Sequence, residues 1–184
     1  MLAPPFPAAA IAAVRDAAKL HLRITGAAED GLLESHAATA LALCEAFTGQ
    51  ALIVRAWQAV VPAHAAWQRL GGAPVAAIDS VEGLSMSGNG FALPAEAYAI
   101  DIDAAGEGWV RGSGGIAAGR LRVGYAAGLA ADWAALPAPL AQGALLLAVH
   151  LFEARASGGA PPAAVAALWR PWRRVRLESA RRSA

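Results

Sequence analysis

The sequence predicts an α+β fold, with helices at both ends of the chain and a β-rich insertion between them. Three observations carry this. Near the N-terminus apolar residues recur every three or four positions. From about residue 51 to 125 short apolar runs alternate in twos and are broken by glycine-rich turns. After Pro139 a long, charge-free and mostly apolar run returns. The expected architecture is mainly a helical bundle of two N-terminal helices, a long buried C-terminal helix and a short final helix. It carries an inserted β-rich element and ends in a basic arm.

The first helix, Ala8 to Leu22, is entered through Pro4-Pro5-Phe6-Pro7 and ended by Thr25-Gly26. The second, Glu29 to Thr48, has the clearest stripe: Leu33, Ala37, Ala40, Leu41, Cys44 and Phe47 share one face. Glu29 and Asp30 sit at its positive end, and Gly49 supplies the stop. Strands are expected over Ala51–Val61, Val75–Leu84, Tyr98–Ile102, Trp109–Val110 and Leu121–Tyr125. In the third of these, Tyr98, Ile100 and Ile102 alternate with Ala99, Asp101 and Asp103, as in a half-exposed strand. Gly88-Asn89-Gly90 reads as a hairpin turn and Gly112–Gly119 as a looser one. Pro139 opens a helix to Ala156 whose apolar residues point nearly all round, as in a buried central helix. Residues 162–168 form the last helix. The domain reading is thus a body, 1–168, followed by an arm, 169–184.

Of the 184 residues 57% are hydrophobic and 16% charged, and the mean hydropathy is +0.43. That is ample for a core and leaves apolar surface for neighbouring subunits. Much of the excess is alanine, which raises hydropathy while burying little area. The longest charge-free run, Trp133–Phe152, is interrupted by Pro137 and Pro139 and is too short beyond them for a bilayer, so no membrane partner is expected. The apolar N-terminus has no basic flank of a secretory signal, and the single Cys44 suits a reducing cytoplasm. Charge is uneven: six of the fifteen Lys and Arg residues, but only one acid, Glu178, lie beyond Ala156. A mildly acidic body with a basic tail points to an arm that seeks an anionic surface.

The side chains that could carry chemistry do not form a constellation. His21, His36, His64 and His150 are widely spaced, so neither a metal nor another cofactor is expected. His36 is expected on the exposed side of its helix and His150 in packing. Arg111–Gly119 is glycine-rich but lacks the Gly-Lys-Ser/Thr ending of a phosphate loop and is followed by a strand. Asp101 and Asp103 are read as a solvated strand face. Ser85, Ser87 and Ser113 have no nucleophile-elbow context, and Cys44 lies on the apolar stripe. No catalytic residues are assigned, and no enzyme activity is expected.

What stands out is Leu168-Trp-Arg-Pro-Trp-Arg-Arg-Val-Arg-Leu177, which holds Trp169, Trp172 and the arginines Arg170, Arg173, Arg174 and Arg176. Tryptophan and arginine are enriched at interface hot spots, so the segment reads as a docking arm rather than an idle tail. The same residues could bind nucleic acid, arginine neutralising phosphate and tryptophan stacking on bases. An enzyme with a site near Asp101, Asp103 and the glycine-rich turn ranks last.

One stretch, Glu29-Asp-Gly-Leu-Leu-Glu … Cys44-Glu-Ala-Phe-Thr-Gly-Gln-Ala-Leu-Ile-Val-Arg-Ala-Trp57, resembles the phage head–tail connector (adaptor) family. In that family an acidic-led helix ends in Glu-x-x-Thr-Gly-Arg-Ala-Leu and runs into a strand with a tryptophan. The sequence departs at Gln50, where the family often has arginine. Ala73-Pro-Val-Ala-Ala-Ile-Asp-Ser-Val81, the Tyr98 strand, Leu121-Arg-Val-Gly-Tyr-Ala-Ala-Gly128, Leu136-Pro with the helix to Phe152-Glu-Ala-Arg155, and the closing Trp/Arg segment continue the resemblance in order. It implies a non-enzymatic subunit of a homo-oligomeric ring, usually of twelve, in a tailed phage or gene transfer agent particle assembled in the bacterial cytoplasm. Such a ring sits on the portal, extends the channel for double-stranded DNA without reading sequence, and receives the next stopper or tail component. By analogy the portal-binding residues are Trp169, Arg170, Trp172, Arg173, Arg174 and Arg176.

Overall fold

A computed structural model describes residues 3–113, 119–154 and 159–174. These form two compact units, one from residues 5–53 and 129–174 and the other from residues 3–4 and 54–128. The described residues contain four α-helices and two antiparallel sheets, a mixed α+β composition.

The first unit holds α1 (Ala8–Leu22), α2 (Asp30–Thr48), α3 (Ala138–Glu153) and α4 (Ala163–Trp169). The α2 stripe packs as its spacing dictates: Leu33, Ala37, Ala40, Leu41 and Cys44 are all fully buried. Gly49 ends the helix in the left-handed region at φ 69°, a conformation glycine adopts without strain. Burial pushes the Cys44 thiol far up, so it behaves as a small hydrophobe. Between α1 and α2, Arg15 pairs with Glu34 and Lys19 with Asp30. Helix α3 contributes Leu140, Ala144, Leu147 and Ala148 to the core shared with α1, α2 and α4, and Val149 and Phe152 to a smaller cluster with Ala18 and Leu33. None of the described helices is long and apolar enough to cross a membrane.

Residues 51–53 depart from expectation. The predicted strand from Ala51 begins only at Arg55, because Leu52 and Ile53 are drawn into the helical core instead. The Leu52 N–H donates to Glu45 Oε1 at 2.7 Å, closing the turn after α2. His36 also differs. Its ring stands edge-on to Phe152 with centroids 6.5 Å apart, so it packs rather than facing solvent.

The second unit holds β1 (Arg55–Pro62), β2 (Gln68–Arg69), β3 (Val75–Leu84), β4 (Gly90–Ala92), β5 (Tyr98–Ile102), β6 (Gly108–Gly112) and β7 (Arg120–Ala127). One sheet has the order β1-β7-β3-β4 and the other β2-β6-β5. Strand β7 is central, and its Leu121, Val123, Tyr125 and Ala127 alternate into the core. Tyr125 stacks on Trp57 at 6.4 Å, donates its hydroxyl to Gly71 O at 2.7 Å, and is pushed up to about 12 by burial. The hairpin predicted at Gly88-Asn89-Gly90 joins β3 to β4, with the Ser85 N–H donating to Asn89 O at 3.0 Å. The looser turn predicted after Gly112 falls mostly outside the described residues. The short β2 and β4 were not predicted, since two or three residues show no periodicity.

Asp103 is not an idle solvated carboxylate. It lies just past β5 and accepts from the Ala105 and Glu107 N–H groups at 2.9 and 3.0 Å, and from the Trp109 indole at 3.0 Å. It shapes the β5–β6 turn.

Candidate functional site: the C-terminal Trp/Arg segment

Pro162 precedes α4 as its N-cap, and the helix runs one residue further than expected, to Trp169. A single 3₁₀ turn, Arg170–Trp172, then carries Pro171. Trp169 does not belong to a free arm. It is 3% exposed, lies in the core with Phe47 and Leu140, and donates its indole N–H to Leu140 O at 3.3 Å. Its ring tilts against Phe47 with centroids 5.8 Å apart. Gly143 makes room for it: a Cβ at that position would stand 2.2 Å from the indole nitrogen.

Beyond Trp169 the chain is held to the end of α2. The buried Gln50 amide donates to Trp172 O at 2.6 Å, and Arg174 N donates to Thr48 O at 2.8 Å. Trp172 is half-buried against the same core. The Arg173 guanidinium lies over the Phe47 ring at 5.9 Å. Arg170 and Arg173 are exposed and form no ion pair among the described residues, whereas Arg174 is half-buried. Arg176 lies outside the described residues. Beside Trp169 an open apolar groove of about 470 Å³ is lined by Leu43, Phe47, Leu147, Pro162 and Val165.

The segment thus combines a buried aromatic anchor with forked cations at the surface. Such cations suit carboxylate or phosphate acceptors. Gln50, Thr48 and Gly143 position it, and sequence reasoning did not single them out for this. A glycine interrupting the apolar α3 run was the one available signal of close packing at Gly143. No cluster of three or more His, Cys, Asp or Glu side chains suited to a metal occurs among the described residues.

The whole fold, 98% of the chain, superposes on all of a chain in the neck of an empty GTA particle computed with C6 symmetry, at TM-score 0.77 and 31% identity. The chain belongs to the head–tail connector family of gene transfer agents. Two further matches cover 98% of this connector: a chain in the virion of a native gene transfer agent (GTA) particle, at TM-score 0.70, 30% identity and 99% of that chain, and one in the neck of a native GTA particle computed with C12 symmetry, at 0.70, 28% and 100%. No protein-family model and no curated protein matches the sequence. The connector is accordingly a structural component of a phage-like particle, at its neck.

Proposed function

We propose that the connector is an adaptor subunit of a homo-oligomeric, dodecameric ring that docks on the portal, extends the DNA channel and receives the next tail component. The observation that carries this is the match over 98% of the chain to neck chains from particles computed with sixfold and twelvefold symmetry. Cyclic symmetry of that kind requires head-to-tail contacts between copies. Portal docking is assigned to the C-terminal segment. Trp169 anchors it from within the core, and Arg170, Trp172, Arg173, Arg174 and Arg176 present the contact. The charge of the tail against the acidic body supports an anionic patch on the partner.

The test is reconstitution with the portal protein, read by co-sedimentation. Arg170→Ala with Arg173→Ala should lower portal binding at least tenfold while leaving the melting temperature within a few degrees of the parent. Undiminished binding would remove the arm from the interface. The exposed Arg170 and Arg173, without an ion pair among the described residues, also favour a second reading, in which the segment grips DNA. Binding to a duplex would then fall steeply with salt, and no duplex binding at low salt would dispose of it.

A further inference from the structure

Strand β5 is the longer of the two edge strands of its three-stranded sheet. It pairs with β6 on one side, and no described strand pairs with the other. Its register places Ile100 directly opposite Val110, and Ile102 follows on the same face. That face is the buried one: Val110 is 0% exposed, and Gly108 and Gly112 beside it are buried too. Yet Ile100 is 45% exposed and Ile102 39%. Two β-branched residues in the core register thus stay substantially exposed among the described residues, on a strand that no described strand pairs on its outer side. A soluble monomer shields such an edge with lysine, proline or a bulge. Here Asp101, on the opposite face, is the strand's only charge.

The geometry points to β5, through Ile100 and Ile102, as a seat for the next copy of this chain in the ring. The inference rests on the ring reading above and adds the surface that makes it. A second copy is the occupant because a ring closed by rotation sets one surface of each subunit against a different surface of its neighbour at every step. The matched neck chains were computed under such symmetry. An open strand edge bordered by apolar side chains is also the surface that strand addition or apolar docking completes.

The test places a photo-crosslinking benzoylphenylalanine at position 100, and separately at 102, in the full chain expressed with the rest of the particle. Purified particles are irradiated and the adducts sequenced by mass spectrometry. The expected result is a covalent dimer of this chain from either position. A connector that enters particles but crosslinks only to other proteins, or to nothing, overturns the β5 contact and leaves the ring standing. A connector absent from the particles overturns both. As a check on folding, Ile100→Ser with Ile102→Ser should leave the isolated chain folded, its melting temperature lowered by only a few degrees, while reducing its incorporation at least fivefold. Undiminished incorporation of that variant counts against the contact.

Discussion

Trp169 and Gly143 are a matched pair, and their substitutions separate packing from docking. Trp169→Ala removes a buried aromatic and its indole hydrogen bond, and should cost about 3–5 kcal/mol of stability in urea unfolding. Gly143→Ala pushes a methyl group into the same ring and should cost about 1–3 kcal/mol. Arg170→Ala, on the exposed turn, should stay within about 0.5 kcal/mol of the parent. Sequence composition could place Trp169 among docking residues but could not distinguish it from Trp172, since both stand in the same Trp/Arg run and only the fold buries the first fully. Gly143 was likewise visible as an interruption but not as the partner of a ring 26 positions away.

Tyr125 makes a second prediction at this scale. Its folded-state value, pushed up to about 12 by burial, lies above the unfolded value of about 10. As pH rises the unfolded chain therefore loses the proton first. The stabilising contribution of the neutral phenol is whole below pH about 10 and is lost as pH climbs through about 12. Urea midpoints measured from pH 8 to 12 should fall more steeply for the parent than for Tyr125→Phe. Parallel curves would contradict the burial argument.

Among the elements, the C-terminal segment is the one whose boundary matters most. An arm beginning at Trp169 would be removable without harm to the body. Because α4 includes Trp169, and Gln50 and Thr48 bind the backbone of Trp172 and Arg174, a deletion of residues 169–184 should unfold or severely destabilise the helical unit. A deletion of residues 175–184 should leave its thermal transition within a few degrees of the parent. Gln50→Ala should lie between, costing about 1–3 kcal/mol for the carbonyl left without its partner. The helices were legible because each has a strong periodic stripe or a proline and glycine at its ends. The first residues of the predicted strand at Ala51 were not. Leu52 and Ile53 suit a strand by type, and only the tertiary demand of the helical core draws them away. Strand β5 shows the complementary limit. Its alternation correctly located the strand, but the period says which residues share a face and nothing about whether that face is covered.

At the scale of the whole molecule, the connector spends its apolar residues on two cores and on surfaces such as the β5 edge, and its surplus positive charge on the C-terminus. The ordered motif series made the family legible from sequence, because turn residues, strand tryptophan and Trp/Arg ending recur in fixed order even where each alone is weak. The ring was legible only through that resemblance, since symmetry is a property of many copies that composition and periodicity do not carry. The most direct test of the central claim is the copy number of this chain per particle, measured by quantitative mass spectrometry against the portal protein in purified particles. A ring subunit should be present at about twelve copies, matching the C12 symmetry of the native neck it resembles. One or two copies per particle, or none, would contradict it.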